Sequence, residues 1–203
     1  MPFRNALLSL LVPVLAPVAL AAQVPPADPA DVVTPEAVVT AAYKAIQRAP
    51  GAPFDWDRFR SLFIPGAILI PNAEQTGGQS RSMSPDDFVD FVDAFYAENA
   101  PIGSDKDQGF AETEVARVIE RYGDVAQVLS TYQKHVWQSD EILARGINSF
   151  QLVQRDNRWW IVSIAWDEDY AAGPIPVDTV REGVLNDRHA PVRQDPAVCP
   201  GYS

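Results

Sequence analysis

Apolar positions recur first at helical spacing and then at every second residue, and this change of period divides the chain in two. Thr34-Pro35-Glu36 opens a helix, with Thr as cap, Pro in the first turn and an acid near the positive end. Val39, Ala42, Tyr43 and Ile46 form its apolar face, and Ala49-Pro50-Gly51 ends it. Asp55 caps a short second helix that buries Phe59, Leu62 and Phe63 and is stopped by Pro65-Gly66, after which Ala67 to Ile70 reads as a short strand. Residues 72–83 are a polar loop. Ser84-Pro85-Asp86-Asp87 then starts a third helix with an unbroken stripe of Phe88, Phe91, Val92, Phe95 and Tyr96. After a second polar loop at 97–109, residues 112–121, 125–138, 144–155 and 158–167 alternate as four strands. Their tight connections, Tyr122-Gly123-Asp124, Asp140-Glu141 and Asp156-Asn157, require antiparallel neighbours. Helices first and strands afterwards predict an α+β fold: one domain, 34–169, with a curved antiparallel sheet and the helices packed on its concave face.

The ends follow other rules. Residues 1–21 read as a secretory signal peptide, with Arg4 in the basic region, Ala6 to Val12 as the apolar stretch and Ala19-Leu20-Ala21 before the cleavage site. Pro13 and Pro17 interrupt the apolar run, which falls short of the roughly 20 residues of a spanning helix. The expectation is a periplasmic or secreted protein, free of the membrane once cleaved. Residues 22–33 read as a Pro/Ala-rich linker and 170–203 as a Pro-rich C-terminal tail.

Composition narrows the class. Apolar residues make up 47% and charged residues 21% of the 203, enough for a real core. The formal charge of −11 argues against nucleic acid, which needs a basic stripe. The single cysteine, Cys199, excludes an intramolecular disulfide and a cysteine zinc site. The two histidines, His135 and His189, lie far apart, and no three-ligand metal cluster, glycine-rich phosphate loop or Gly-x-Ser-x-Gly motif is found. No cofactor is expected.

Three stretches carry a resemblance: FDWDRFRSLFIPGAILI (Phe54 to Ile70), SPDDFVDFVDAFY (Ser84 to Tyr96) and GINSFQLVQRDNRWWIVSIAWDED (Gly146 to Asp169). Together they resemble the nuclear transport factor two-like superfamily, the cone-shaped, cystatin-like roll shared with ketosteroid isomerase, scytalone dehydratase and polyketide cyclases, and within it small exported members of unassigned role. The fold hosts catalysts, binders and assembly modules, so the resemblance implies architecture and not chemistry.

Two-residue turns at Asp140-Glu141 and Asp156-Asn157 predict which side chains share a face. The face assigned to the helices carries Leu129, Thr131, Gln133, His135, Trp137, Asn148, Phe150, Leu152, Trp159, Ile161, Ser163, Ala165 and Asp167. Tyr43, Phe59, Phe63, Phe91 and Phe95 supply the opposite wall, which predicts an apolar cone with Gln133, Trp137, Asn148, Phe150 and Ser163 among its ligand contacts. The other face, with Ile147, Val153, Trp160, Val162, Ile164 and Trp166, is too apolar to leave in water. The resemblance implies a homodimer there, with the tail as the other candidate cover.

His135 paired with Asp167 could serve as acid and base beside the cavity, with Gln133 and Asn148 steadying an oxyanion. The plainer reading, a half-exposed strand histidine and a strand-ending acid, is favoured. Glu112, Glu114, Glu120, Asp105 and Asp107 read as solvated surface. The leading expectation is an exported domain that binds a small apolar or amphipathic molecule. The alternatives are a cofactor-independent lyase or isomerase using His135 and Asp167, and a non-enzymatic dimerisation or partner-binding module.

Overall fold

A computed structural model describes residues 24–79 and 81–175. The signal-peptide reading, Cys199, His189 and the tail from 176 onward lie outside the described residues. The expected helices form where the sequence caps them. In α1 (Pro35–Ala45) the Thr34 hydroxyl accepts from Ala37 N at 3.1 Å; in α2 (Trp56–Ser61) the Asp55 carboxylate accepts from Arg58 N at 3.2 Å. In α3 (Pro85–Asn99) Ser84 and Asp87 form a reciprocal capping box.

The strands β1 (Phe63–Ile70), β2 (Ala111–Tyr122), β3 (Val125–His135), β4 (Ile142–Arg155) and β5 (Arg158–Glu168) form one sheet in the order β1-β5-β4-β3-β2. The four long strands are antiparallel, as expected; β1 adds a parallel edge beside β5, so the sheet is mixed. Val38 and Val39 of α1, Leu62 at the end of α2 and Phe63 at the start of β1 form one buried cluster with Val128, Phe150, Trp159 and Ile161 of the inner face. A short α4 (Asp169–Ala172) follows β5.

Two local expectations change. Pro65-Gly66 does not stop a helix. It lies inside β1, where the pairing jumps from Phe63 opposite Ile161 to Ile68 opposite Ser163, a bulge that tolerates the missing proline N–H. The described part of the Pro/Ala-rich linker is docked: Val32 is buried, its carbonyl accepts from Trp159 N at 2.8 Å, and Asp31 pairs with Arg58 at 2.7 Å.

The larger correction concerns strand faces. The Asp156-Asn157 turn holds as expected, with both residues at positive φ and Arg155 opposite Arg158. The β3–β4 connection does not. β3 ends at His135 and β4 begins at Ile142, so Tyr132, not His135, lies opposite Gly146, and Ser130 opposite Asn148. That shift of three residues is odd, so every β3 side chain changes face. Ala126, Val128, Ser130, Tyr132 and Lys134 point inward, and Leu129, Thr131, Gln133 and His135 are on the outer face. In β5 a bulge at Val162 does the same: Leu152 pairs with Ile161 and Gln151 with Ser163. Trp159 and Ile161 point inward as expected. Beyond the bulge Ile164, Trp166 and Glu168 face inward, and Ser163, Ala165 and Asp167 outward.

Candidate functional site

Helices α1 and α3 do not close completely onto the sheet, and a cavity of about 360 Å³ remains between them. The aromatic stripe of α3 is one wall. Val89 is the only α3 residue fully buried, whereas Phe88, Phe91, Val92, Phe95 and Tyr96 all line the opening. Phe54, Trp56 and Phe59 continue the wall from the neighbouring segment; Phe150, Ile164 and Trp166 face them from the sheet.

Of the residues singled out from sequence, Tyr43, Phe59, Phe91, Phe95, Asn148 and Phe150 line this cavity. Phe63 is core beneath it, packed on Phe59 with ring centroids 4.7 Å apart. Gln133 and Ser163 are turned to the outer face by the two register changes. Trp137 lies beyond the end of β3, its Cβ so close to Gly109 that a side chain there would collide with it. His135 and Asp167 do not line the cavity and are not bonded to each other: Asp167 is exposed and its carboxylate accepts from Glu168 N, while His135 Nδ1 is buried without a hydrogen-bond partner among the described residues.

Different polar groups occupy the cavity. Glu112, near the start of β2, is 6% exposed. Asn148 Nδ2 donates to Glu112 Oε1 at 3.3 Å and to the Tyr43 hydroxyl at 3.0 Å, and Tyr43 lies 2.7 Å from Ser130 Oγ. Burial pushes the Glu112 carboxyl up to about 7, against the opposing pull of Lys134 and the Asn148 amide and with a further push from Glu168. Burial likewise raises the Tyr43 and Tyr132 phenols, so both remain protonated.

A second polar group lies beside the first. Glu168 is 2% exposed and its Oε1 accepts from Tyr132 at 3.0 Å, from Gln75 Nε2 at 3.2 Å and from Lys134 Nζ. Gln75 in turn accepts from Trp166 Nε1 at 2.9 Å, which fastens the 74–76 turn to the sheet. At the α3 end, Arg48 lies 4.6 Å from the Tyr96 ring centroid and 5.1 Å from that of Phe54. It pairs with Asp107 at 2.7 Å. Backbone N–H groups of Gly103, Gly51 and Gly109, with Arg48, hold the Asp107 carboxyl well below the usual range. Glu112 and Asp107 are therefore buried and not solvated, and Glu114 is half-buried, bonded by Arg117 and Ser130.

Sequence reasoning missed Glu112, Tyr132, Lys134, Gln75 and Trp166. One signal pointed to Tyr132, and through the β3 register to Lys134: Gly146 in the middle of a strand. A Cβ at Gly146 would collide with the Tyr132 ring, and an isolated strand glycine marks such close approaches. Placing Tyr132 over Gly146 sets the β3 register.

No protein-family model matches the sequence, and no curated protein matches it. Solved structures do. An NTF-2 like protein of unknown function from Silicibacter pomeroyi is 18% identical, with 66% of this chain and 91% of that one covered and a TM-score of 0.43. A protein of unknown function with a cystatin-like fold from Nostoc punctiforme is 11% identical, covering 57% and 77%, TM-score 0.44. A putative ketosteroid isomerase from Parabacteroides distasonis is 13% identical, covering 65% and 85%, TM-score 0.42. Likeness at this level concerns the course of the chain and not its chemistry.

Proposed function

Taking the nuclear transport factor two-like fold as premise, we propose that this chain binds a small amphipathic molecule in the cavity between α1, α3 and the inner sheet face. The observation that carries this reading is the cavity itself: about 360 Å³, walled by aromatic rings and bordered on one side by the Glu112, Asn148 and Tyr43 cluster. An apolar enclosure with a few convergent polar groups orients a ligand by its polar head while the rings hold its body.

The acid/base pair read from sequence does not support a lyase or isomerase, because His135 and Asp167 have no access to a molecule held there. Export and dimerisation belong to the same proposal. A mature protein beginning at Ala22 would support the first. Sedimentation as a dimer would support the second, through an outer face that keeps Ile147, Trp160 and Val162 but loses Ile164 and Trp166 to the cavity.

Nile red, a neutral apolar dye, tests the cavity. One equivalent is expected to bind with a blue-shifted emission. Val92→Trp, which fills the opening from the half-buried face of α3, is expected to abolish binding while leaving the fold intact by circular dichroism. Equal binding by this variant would place the dye elsewhere and defeat the reading.

A further inference from the structure

The charges on the polar side of the cavity do not balance. Lys134 is paired with Glu168 and Arg117 with Glu114, leaving Glu112 as a buried carboxyl without a cationic partner among the described residues. Apart from the Lys134 ammonium, which gives Glu168 one of its three protons, the neighbouring protons are also committed. Ser130 donates to Glu114 Oε1, so in its contact with Tyr43 the tyrosine must be the donor. Asn148 uses its two amide protons on Tyr43 and Glu112, Tyr132 donates to Glu168, and Gln75 Nε2 serves Glu168 and Tyr170. What remains for a ligand is the acceptor capacity of Glu112, with the Lys134 ammonium protons not given to Glu168 beside it.

We propose that the ligand is an amphipathic amine, its protonated nitrogen on the Glu112 carboxylate and its apolar body against the aromatic walls. This rests on the cavity reading above and deepens it. A cation placed there completes the one unmatched charge, and a charge-assisted hydrogen bond out of water is stronger than a neutral one. The surrounding rings are favourable neighbours for an ammonium group. A ligand carboxylate would meet like charge, and a hydroxyl or carbonyl would leave the ionised Glu112 unmatched.

The test uses three probes of one shape, phenylbutylamine, phenylbutanol and phenylbutanoate, measured by calorimetry on the wild-type chain and on Glu112→Gln. At pH 8 the amine is expected to bind at least about tenfold more tightly than the alcohol. Its affinity is expected to fall about tenfold between pH 8 and pH 6, as Glu112, at about 7, takes up a proton while the amine stays charged. The other charged groups facing Glu112 are Lys134 on β3 and Glu168 on β5; Tyr43 on α1 and Tyr132 stay neutral across this range. In Glu112→Gln the amine is expected to lose its advantage while the alcohol still binds, which also shows an intact cavity. An alcohol or carboxylate as tight as the amine at pH 8, or an amine preference that survives Glu112→Gln, overturns the proposal and leaves the cavity reading standing. Failure of all three probes to bind the wild-type chain overturns both.

Discussion

Glu112 and Glu168 enter the same polar region from β2 and β5, and both are almost fully buried, yet the chain supplies them very differently. Glu168 receives a phenol, an amide and an ammonium group on one oxygen. Glu112 receives a single amide contact at 3.3 Å. A saturated buried carboxylate is part of the scaffold, since its desolvation is offset by partners already in place. One left unsaturated beside an open cavity is strained in its ionised form and is available to something that enters. The contrast assigns Glu168 to holding the 74–76 turn and β3 together, and Glu112 to the ligand.

The sharpest way to break this contrast is to remove the charge at each position. Glu168→Gln removes the carboxylate bonded to Lys134 and is expected to cost about 3 kcal/mol, the low end for a broken buried pair because Lys134 keeps 20% exposure and still has the Glu112 carboxyl nearby. Chemical denaturation at neutral pH measures this. Glu112→Gln is expected to have the opposite sign above neutrality. The folded chain holds the Glu112 proton more tightly than the unfolded chain does, at about 7 against an ordinary 4.5. The stability this contributes is complete below pH 4.5 and is lost as pH rises through about 7. Relative to Glu112→Gln, the wild-type chain is expected to lose about 3 kcal/mol of unfolding free energy between pH 4 and pH 8. Equal pH profiles for the two proteins would mean that Glu112 is not held in a low-dielectric site. The smallest effect is expected from Tyr43→Phe, which removes one hydroxyl between Ser130 and Asn148 and is expected to cost about 1 kcal/mol in the same denaturation experiment.

Much of the frame was legible in the residues. Thr34, Asp55 and Ser84 cap helices at the expected places because capping is local chemistry, and the Asp156-Asn157 turn sets its own hairpin for the same reason. The aromatic wall followed from helical spacing, so Tyr43, Phe59, Phe91 and Phe95 fell where expected. The polar contents of the cavity did not, because strand faces depend on register, and register depends on features that alternation does not reveal. A long connection at 136–141 turned His135 and Gln133 outward, and one extra residue at Val162 exchanged Ser163 and Asp167 for Ile164, Trp166 and Glu168. Glu112 was missed for a related reason: an acid in an alternating strand reads as solvated unless the partner strand is already placed.

The most direct measurement is a carbon-13 NMR titration of the Glu112 side-chain carboxyl in the ligand-free chain. A midpoint at about 7, which moves down when phenylbutylamine is added, is the expected result. A midpoint at the ordinary glutamate value of about 4.5, unmoved by the amine, would mean that water or a protein partner already satisfies this carboxylate, and would contradict its assignment to a ligand.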